Sequence, residues 1–360
     1  MPLFIPGEVE GVAPMPELST LWFWIVALML TAWSVLDGFD FGAGVLHRFV
    51  ARTDSERREV LAAIGPVFDG NEVWLIAAGG SLYFAFPRLL AAGLSGFYLP
   101  VIFVVWALLL RGLSIELRSH VTSPLWRSFF DTTFMLSSFA VPLLVGALLG
   151  NVVRGVPLDA RGYFELGLFG AEGALGVLDG YALLCGVLVL VTLAAHGANW
   201  LVWKTEGVVQ QRVLTARMPL WISVVTLWSA SAFATWRVAP EVMAAFPERP
   251  LAWLGLLLTL GGATVVFVKR HSEREPFFGG VAFIVGCLVT TLACLFPTVL
   301  RANGGPALSL TVTGAATGAV AMKSALFWLG PGVLLAAGYL WWVLRHFRGK
   351  VAAARDGEGY

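Results

Sequence analysis

Nine stretches of this chain each run for about 20 or more mostly apolar residues, the length a helix needs to cross a bilayer's hydrocarbon core. They are 21–46, 60–83, 89–115, 128–150, 165–195, 218–236, 251–268, 277–297 and 323–345. Barrel strands would be about ten residues long and would alternate in polarity, and these runs do neither. Composition agrees: of 360 residues 58% are hydrophobic and 13% charged, against roughly 25% charged in an average soluble domain. The chain therefore reads as an all-α polytopic membrane protein. A soluble enzyme, a disordered chain and a disulfide scaffold are excluded. Lys plus Arg is 24 and Asp plus Glu is 23, and this balance gives no reason to expect a nucleic-acid partner. Cys185, Cys287 and Cys294 lie in apolar runs without metal-ligand spacing and read as reduced core residues.

Basic residues accumulate on the cytoplasmic side of membrane proteins. With the N-terminus outside, the inside segments hold Arg48, Arg52, Arg57 and Arg58, then Arg111, Arg118 and Arg127, then Lys204, Arg212 and Arg217, then Lys269, Arg270 and Arg274. The tail adds Arg345, Arg348, Lys350 and Arg355. Only Arg88, Arg154, Arg161, Arg237, Arg249, Arg301 and Lys323 fall outside. The expected topology is nine spans, N-terminus out and C-terminus in, in the cytoplasmic membrane. The acidic, proline-rich leader lacks the basic start of a secretory signal, so no cleavage is expected.

An internal repeat is suggested by Val35-Leu36-Asp37-Gly38-Phe39, which returns as Val177-Leu178-Asp179-Gly180-Tyr181. Phe129-Phe130 likewise returns as Phe277-Phe278. The expected organisation is two pseudo-repeated four-helix bundles, 1–155 and 156–304, with a ninth helix and cytoplasmic tail over 305–360. Such a duplication suits a transporter with a midplane site, or serves packing alone.

Ionisable residues inside the hydrocarbon are costly and mark function by default. Asp37 and Asp40 are three apart in the first run, and Asp69 and Glu72 are three apart in the second, with Asn71 between them. Asp37 and Asp69 each lie 11 residues from an arginine, Arg48 and Arg58, or roughly 16 Å along a helix. Four carboxyls facing one another would suit a proton relay. Structural pairing and cation binding are the competing readings. Arg111 is deep enough to be their counter-ion. Arg118 reads as a side chain reaching for the interface, and Asp131 as a local partner of Arg127 four residues earlier. Gly38 and Gly42 have the GxxxG spacing of close helix approach. Glu165, Glu172 and Asp179, spaced seven and seven, would form an acidic stripe on the fifth span. His47, His120, His196, His271 and His346 sit towards helix ends and give no haem-bridging pair; no metal site is expected.

The stretches VLDGFDFGAGVLHRF (35–49), TDSERR (53–58), GPVFDGNEVWLIAAGGSLYFAFP (65–87), GFYLP (96–100), LLLRGLSIELRS (108–119) and GNVVRGVP (150–157) resemble subunit II of the cytochrome bd quinol oxidases, including the cyanide-insensitive branch. LFPTVL (295–300) and SLTV (309–312) also fit. The resemblance implies a non-haem subunit of a quinol:oxygen oxidoreductase that reduces oxygen to water. It implies a haem-bearing, homologous subunit I that carries haems b and d, with membrane quinol as reductant. A small single-helix subunit, phospholipid and a structural quinone or lipid are further expected partners. Carried over by position, the cytoplasmic proton route maps to Asp40 and Asp69 with Asp37, Asn71 and Glu72 beside them. Arg111 and Asp131 map to haem retention and assembly. Phe68 stands where the family often has tryptophan, and Glu72 where it often has glutamine. The stripe of Glu165, Glu172 and Asp179 has no counterpart in the resemblance. A secondary transporter using the same carboxylates is the alternative.

Overall fold

A computed structural model describes residues 15–170 and 176–351. The chain is helical almost throughout. α1 spans Pro16–Val50, α2 Asp54–Ile64, α3 Phe68–Ala85, α4 Pro87–Gly96, α5 Tyr98–Leu117 and α6 Pro124–Arg154. After a long connection come α7 Gly180–Lys204, α8 Gly207–Val238, α9 Pro240–Ala245, α10 Pro250–Val268, α11 Glu275–Leu295 and α12 Ala319–His346. Six of these start with proline in the first turn, where the missing N–H costs no intrahelical bond.

Among the described residues eight helices are long and apolar enough to cross a membrane. α2 and α3, bent by 48° against each other, make a ninth when counted as one span. The bend falls at Gly65-Pro66-Val67, where proline cannot donate to the helical ladder. The expected third span is likewise broken, at Phe97 between α4 and α5.

The fifth span differs from expectation. It begins at Gly180, not 165, so the acidic stripe does not form along a helix. Glu165 lies in irregular chain, and Glu172 falls outside the described residues. Asp179 ends this stretch as the N-cap of α7, its side chain accepting from the Ala182 N–H at 2.9 Å and meeting Arg154. The reason is local. Glycines at 162, 167, 170 and 176 disfavour helix, and the backbone instead pairs Val177 with Gly167 and Leu178 with Leu168. Glu165 and Asp179 are thereby kept out of a spanning helix. This connection packs with residues 298–311, where β1 (Thr298–Leu300) and β2 (Leu310–Thr311) pair and Val156 bridges Ala302. Phe97, Phe164, Leu158 and Leu300 form the small core of this cap.

Helix boundaries repeat at a nearly constant offset. α2 and α8 start 153 residues apart, α5 and α10 152, and α6 and α11 151, while α1 and α7 end 154 apart. Pro66 and Pro219, and Pro87 and Pro240, are each 153 apart. The pentamer match at 142 is therefore out of step with the helices: Asp37 lies mid-helix in α1, whereas Asp179 only caps α7.

The centre of the molecule is the seam between α1 and α7. A methyl on Gly42 would lie 2.7 Å from Gly197 Cα, and one on Gly38 would lie 2.9 Å from the Leu193 side chain. The two backbones touch because glycine stands at the crossing, as the GxxxG spacing predicts. Beside it Phe39 stacks on Trp200 with ring centroids 4.1 Å apart, and Phe277 completes the cluster.

Candidate functional site: two buried ionic clusters along the first helices

Two turns of α1 carry the first cluster. Asp37 and Asp40 are both fully buried. Asp37 Oδ1 pairs with Arg111 Nη1 of α5 at 2.6 Å, and its Oδ2 accepts from Trp33 Nε1 at 2.8 Å. The second guanidinium nitrogen of Arg111 reaches Glu72 Oε1 of α3 at 2.5 Å. The guanidinium also lies 4.0 Å over the Phe41 ring. Arg111 thus ties α1, α3 and α5 together from a fully buried position, the setting in which a planar fork outperforms an ammonium.

Asp40 is held differently. Asn71 of α3 donates to its Oδ2 at 2.7 Å and to the Leu36 carbonyl at 3.1 Å. Asp40 Oδ1 and Asn71 Oδ1 are buried acceptors without a donor among the described residues. No cation among the described residues pairs with Asp40 directly. The cluster can therefore bind a proton or hydrogen-bond a water at that end while its Arg111 end stays neutralised.

Asp69, expected among the facing carboxyls, stands apart. It is exposed on the outer face of α3, directly after the bend. The helical phase explains this. Residues 69 and 71 lie about 200° apart at 100° per residue, so burying Asn71 turns Asp69 outward. Glu72 sits on the shoulder between them, is 28% exposed, and reaches Arg111 by its length.

The second cluster lies near the end of α1 where α2 begins. Fully buried Asp131 of α6 is its hub. It accepts from Arg118 Nε at 2.6 Å and Nη2 at 3.2 Å, from Arg57 Nη1 at 3.0 Å, and pairs with His47 Nε2 at 2.8 Å. Arg118 does not reach for the interface. It is 1% exposed and bridges on to Asp54 at 2.7 Å. Arg127, the expected local partner of Asp131, pairs instead with Asp54 at 2.8 Å. His47 and Arg118 join this cluster, which their positions in the sequence do not predict. His47 is 84 residues from Asp131, so no local spacing could have paired them, but a histidine within reach of a buried aspartate in a basic-rich segment was the available signal. α2 is fixed beside the cluster by a capping box, Thr53 with Glu56.

Both buried imidazoles spend their Nε2 within the chain. His47 is committed to Asp131, and His196 faces the Val35 carbonyl at 3.1 Å and stacks on Phe277. Among the described residues no three His, Cys, Asp or Glu side chains group as a metal site. All three cysteines are free.

Comparison with known proteins places nearly the whole chain in a family. The family model described as cytochrome bd terminal oxidase subunit II matches residues 18–347. The cytochrome bd ubiquinol oxidase subunit 2 of Bacillus subtilis is 32% identical over 317 residues, covering 86% of this chain and 89% of the relative. The probable cytochrome oxidase subunit 2 of Haemophilus influenzae is 30% identical, covering 93% and 96%. The cytochrome bd-I ubiquinol oxidase subunit 2 of Escherichia coli is 28% identical, covering 90% and 93%. A chain of the bd oxidase structure from Geobacillus thermodenitrificans superposes with a TM-score of 0.73 at 15% identity, over 92% of this chain and 98% of that one. This last likeness shows the fold alone.

Proposed function

Because this chain belongs to the cytochrome bd terminal oxidase subunit II family, we propose that its first buried cluster is a proton route serving the oxygen-reducing centre of the partner subunit. The chain is a multi-pass bacterial membrane protein and a component of a quinol oxidase, an oxidoreductase that it forms with subunit I. The haems belong to that partner, whose chemistry is the four-electron reduction of oxygen to water. What this chain contributes is protons and architecture. The transporter reading rested on the same carboxylates, and the relatives reported above decide between the two in favour of the oxidase.

The observation that carries the proposal is the division of labour between Asp37 and Asp40. Asp37 is neutralised by Arg111 and held by Trp33, so it fixes the field. Asp40 has one oxygen bound by Asn71 and one without a donor. A proton arriving on Asp40 Oδ1 supplies the donor that this oxygen and Asn71 Oδ1 lack, and its departure restores the carboxylate. Asp69, exposed on α3 two residues before Asn71, is the port, and Glu72 links it to the Arg111 end. In the expected orientation, N-terminus outside, the port opens towards the cytoplasmic half, and the Asp131 cluster closes that side against leakage. Arg111 and Asp131 then retain haem indirectly, by holding α1, α3, α5 and α6 in the shape that the partner recognises. The residue ranges 1–155 and 156–304 are two copies of one four-helix unit, of which the first kept the acids.

An apolar groove of about 600 Å³ runs between α1, α3 and α12, lined by Trp22, Met29, Trp74, Phe84 and Trp328. It suits the isoprenoid or acyl chain of a structural quinone or phospholipid.

The test is Asp40→Asn and Asp69→Asn in the assembled oxidase, reading quinol-driven oxygen consumption and haem content together. The expected outcome is turnover slowed at least about tenfold, equivalent to about 1.4 kcal/mol of barrier, with the haems retained. Unchanged turnover in both variants overturns the relay, and loss of haem with loss of assembly assigns the carboxylates to structure.

A further inference from the structure

α7, α8 and α11 meet around Gly280, far in sequence from the acidic cluster. Three fully buried side chains converge there: His196 and Asn199 from α7 and Trp221 from α8. A methyl on Gly280 would lie 2.8 Å from His196 Nδ1, 3.3 Å from Asn199 Nδ2 and 3.2 Å from Trp221 Cζ2. Glycine is therefore what leaves this junction its width.

Each of the three side chains spends one capacity on packing or backbone and keeps one polar atom unspent. His196 Nε2 faces the Val35 carbonyl at 3.1 Å. A carbonyl only accepts, so Nε2 carries the hydrogen and Nδ1 is left as an acceptor. Asn199 Nδ2 donates to the Pro276 carbonyl at 2.8 Å, and its Oδ1 is left as a second acceptor. Trp221 has a single polar atom, the donor Nε1. His196 Nδ1, Asn199 Oδ1 and Trp221 Nε1 have no hydrogen-bond partner among the described residues.

Two acceptors and one donor around one junction are the complement of a water molecule, which gives two hydrogens and accepts one. We infer that His196, Asn199 and Trp221 hold a single structural water against Gly280. Buried waters typically make about three hydrogen bonds to polar groups that would otherwise be unsatisfied, and buried polar atoms without partners are destabilising. A metal ion would face the indole N–H, and an anion would face the two acceptors, so neither fits the set. The water fixes the tautomer and ring plane of His196. Through the Val35 carbonyl, His196 in turn holds α1 two residues before Asp37. It is a positioning residue for the first cluster, acting from the second half of the chain.

The test is a map of the assembled oxidase at a resolution that shows ordered water elsewhere in its core. The expected result is one density peak within hydrogen-bonding distance of all three atoms. Gly280→Ala should abolish that peak, and Trp221→Phe, which keeps the ring and removes the donor, should weaken or abolish it. A dry junction in the unsubstituted protein overturns the inference, as does a peak that persists unchanged in Trp221→Phe. If Gly280→Ala does not assemble, the unsubstituted map and Trp221→Phe decide the matter between them.

Discussion

Removing the guanidinium of Arg111 would strand Asp37 and part of Glu72 in a low-dielectric interior, and breaking a buried pair from one side costs about 3–5 kcal/mol. Arg111→Gln should therefore lower the melting temperature of the assembled complex and its yield. Asp37→Asn combined with Arg111→Gln should recover most of that loss, because both charges leave together. A double variant no more stable than Arg111→Gln alone would show that the ion pair is not what holds these helices. Arg111 was legible in the sequence, since its depth in an apolar run left it little but the acids as partners. The Asp131 hub was not, because its partners come from 13, 74 and 84 residues away. Asp69 does not face the other carboxyls, for a different reason. A spacing of three places Asp69 and Glu72 on neighbouring faces of one helix, but which face turns inward was decided by Asn71 binding Asp40.

Helices α1 and α7 meet at Gly42 and Gly197 with no side chain between them. Gly42→Val would force β-branched bulk against the α7 backbone. Overpacking of this kind costs typically about 1–3 kcal/mol, and more where backbone rather than a side chain must yield. The expected result is a variant whose complex melts earlier and binds subunit I poorly; a melting temperature equal to that of the unsubstituted complex would show that the seam can open. At this scale most spans were readable because hydrophobicity alone specifies a spanning helix. The Gly65-Pro66 break was visible as chain punctuation, but its 48° bend was not. Residues 165–179 are apolar enough to extend the fifth span on hydropathy alone, although α7 starts at Gly180. Their glycines and the Asp179 cap decide otherwise.

The end of the chain bears on the whole molecule. Lys204 Nζ donates to the Phe347 carbonyl at 2.6 Å, Val351 N–H donates to the Lys204 carbonyl at 2.8 Å, and Lys350 pairs with Glu273 at 2.8 Å. The Lys350 ammonium holds the Glu273 carboxyl below its usual range, with Gln210 as a second donor. In a released tail that carboxyl returns to its ordinary, higher value. The docking it contributes is thus fully present above the ordinary carboxylate range and is lost as pH falls through the lowered value. A mobility probe at position 351 should stay restrained at neutral pH and loosen on acidification, and Glu273→Gln should loosen it at neutral pH. A probe equally restrained under all three conditions would leave the Lys204 contacts as the whole anchor. The repeat of helix starts and proline pairs near an offset of 153 is visible only with the helices in place, because the short matching stretch at 35–39 and 177–181, identical in four of its five residues, points to a different register.

The partner that Asp37 needs is made late. Arg111 follows Asp40 by 71 residues, which at ordinary synthesis rates separates them by on the order of 4–14 s. During that interval α1 has two carboxyls and no counter-ion, and each acid at a helix centre opposes insertion by roughly 2.5–3.5 kcal/mol. The 35 residues of α1 must therefore enter the bilayer on the strength of their apolar flanks, or wait in the insertion machinery until α5 emerges. The timing of biogenesis, as much as the finished contacts, selects how much hydrophobic length surrounds a buried acid.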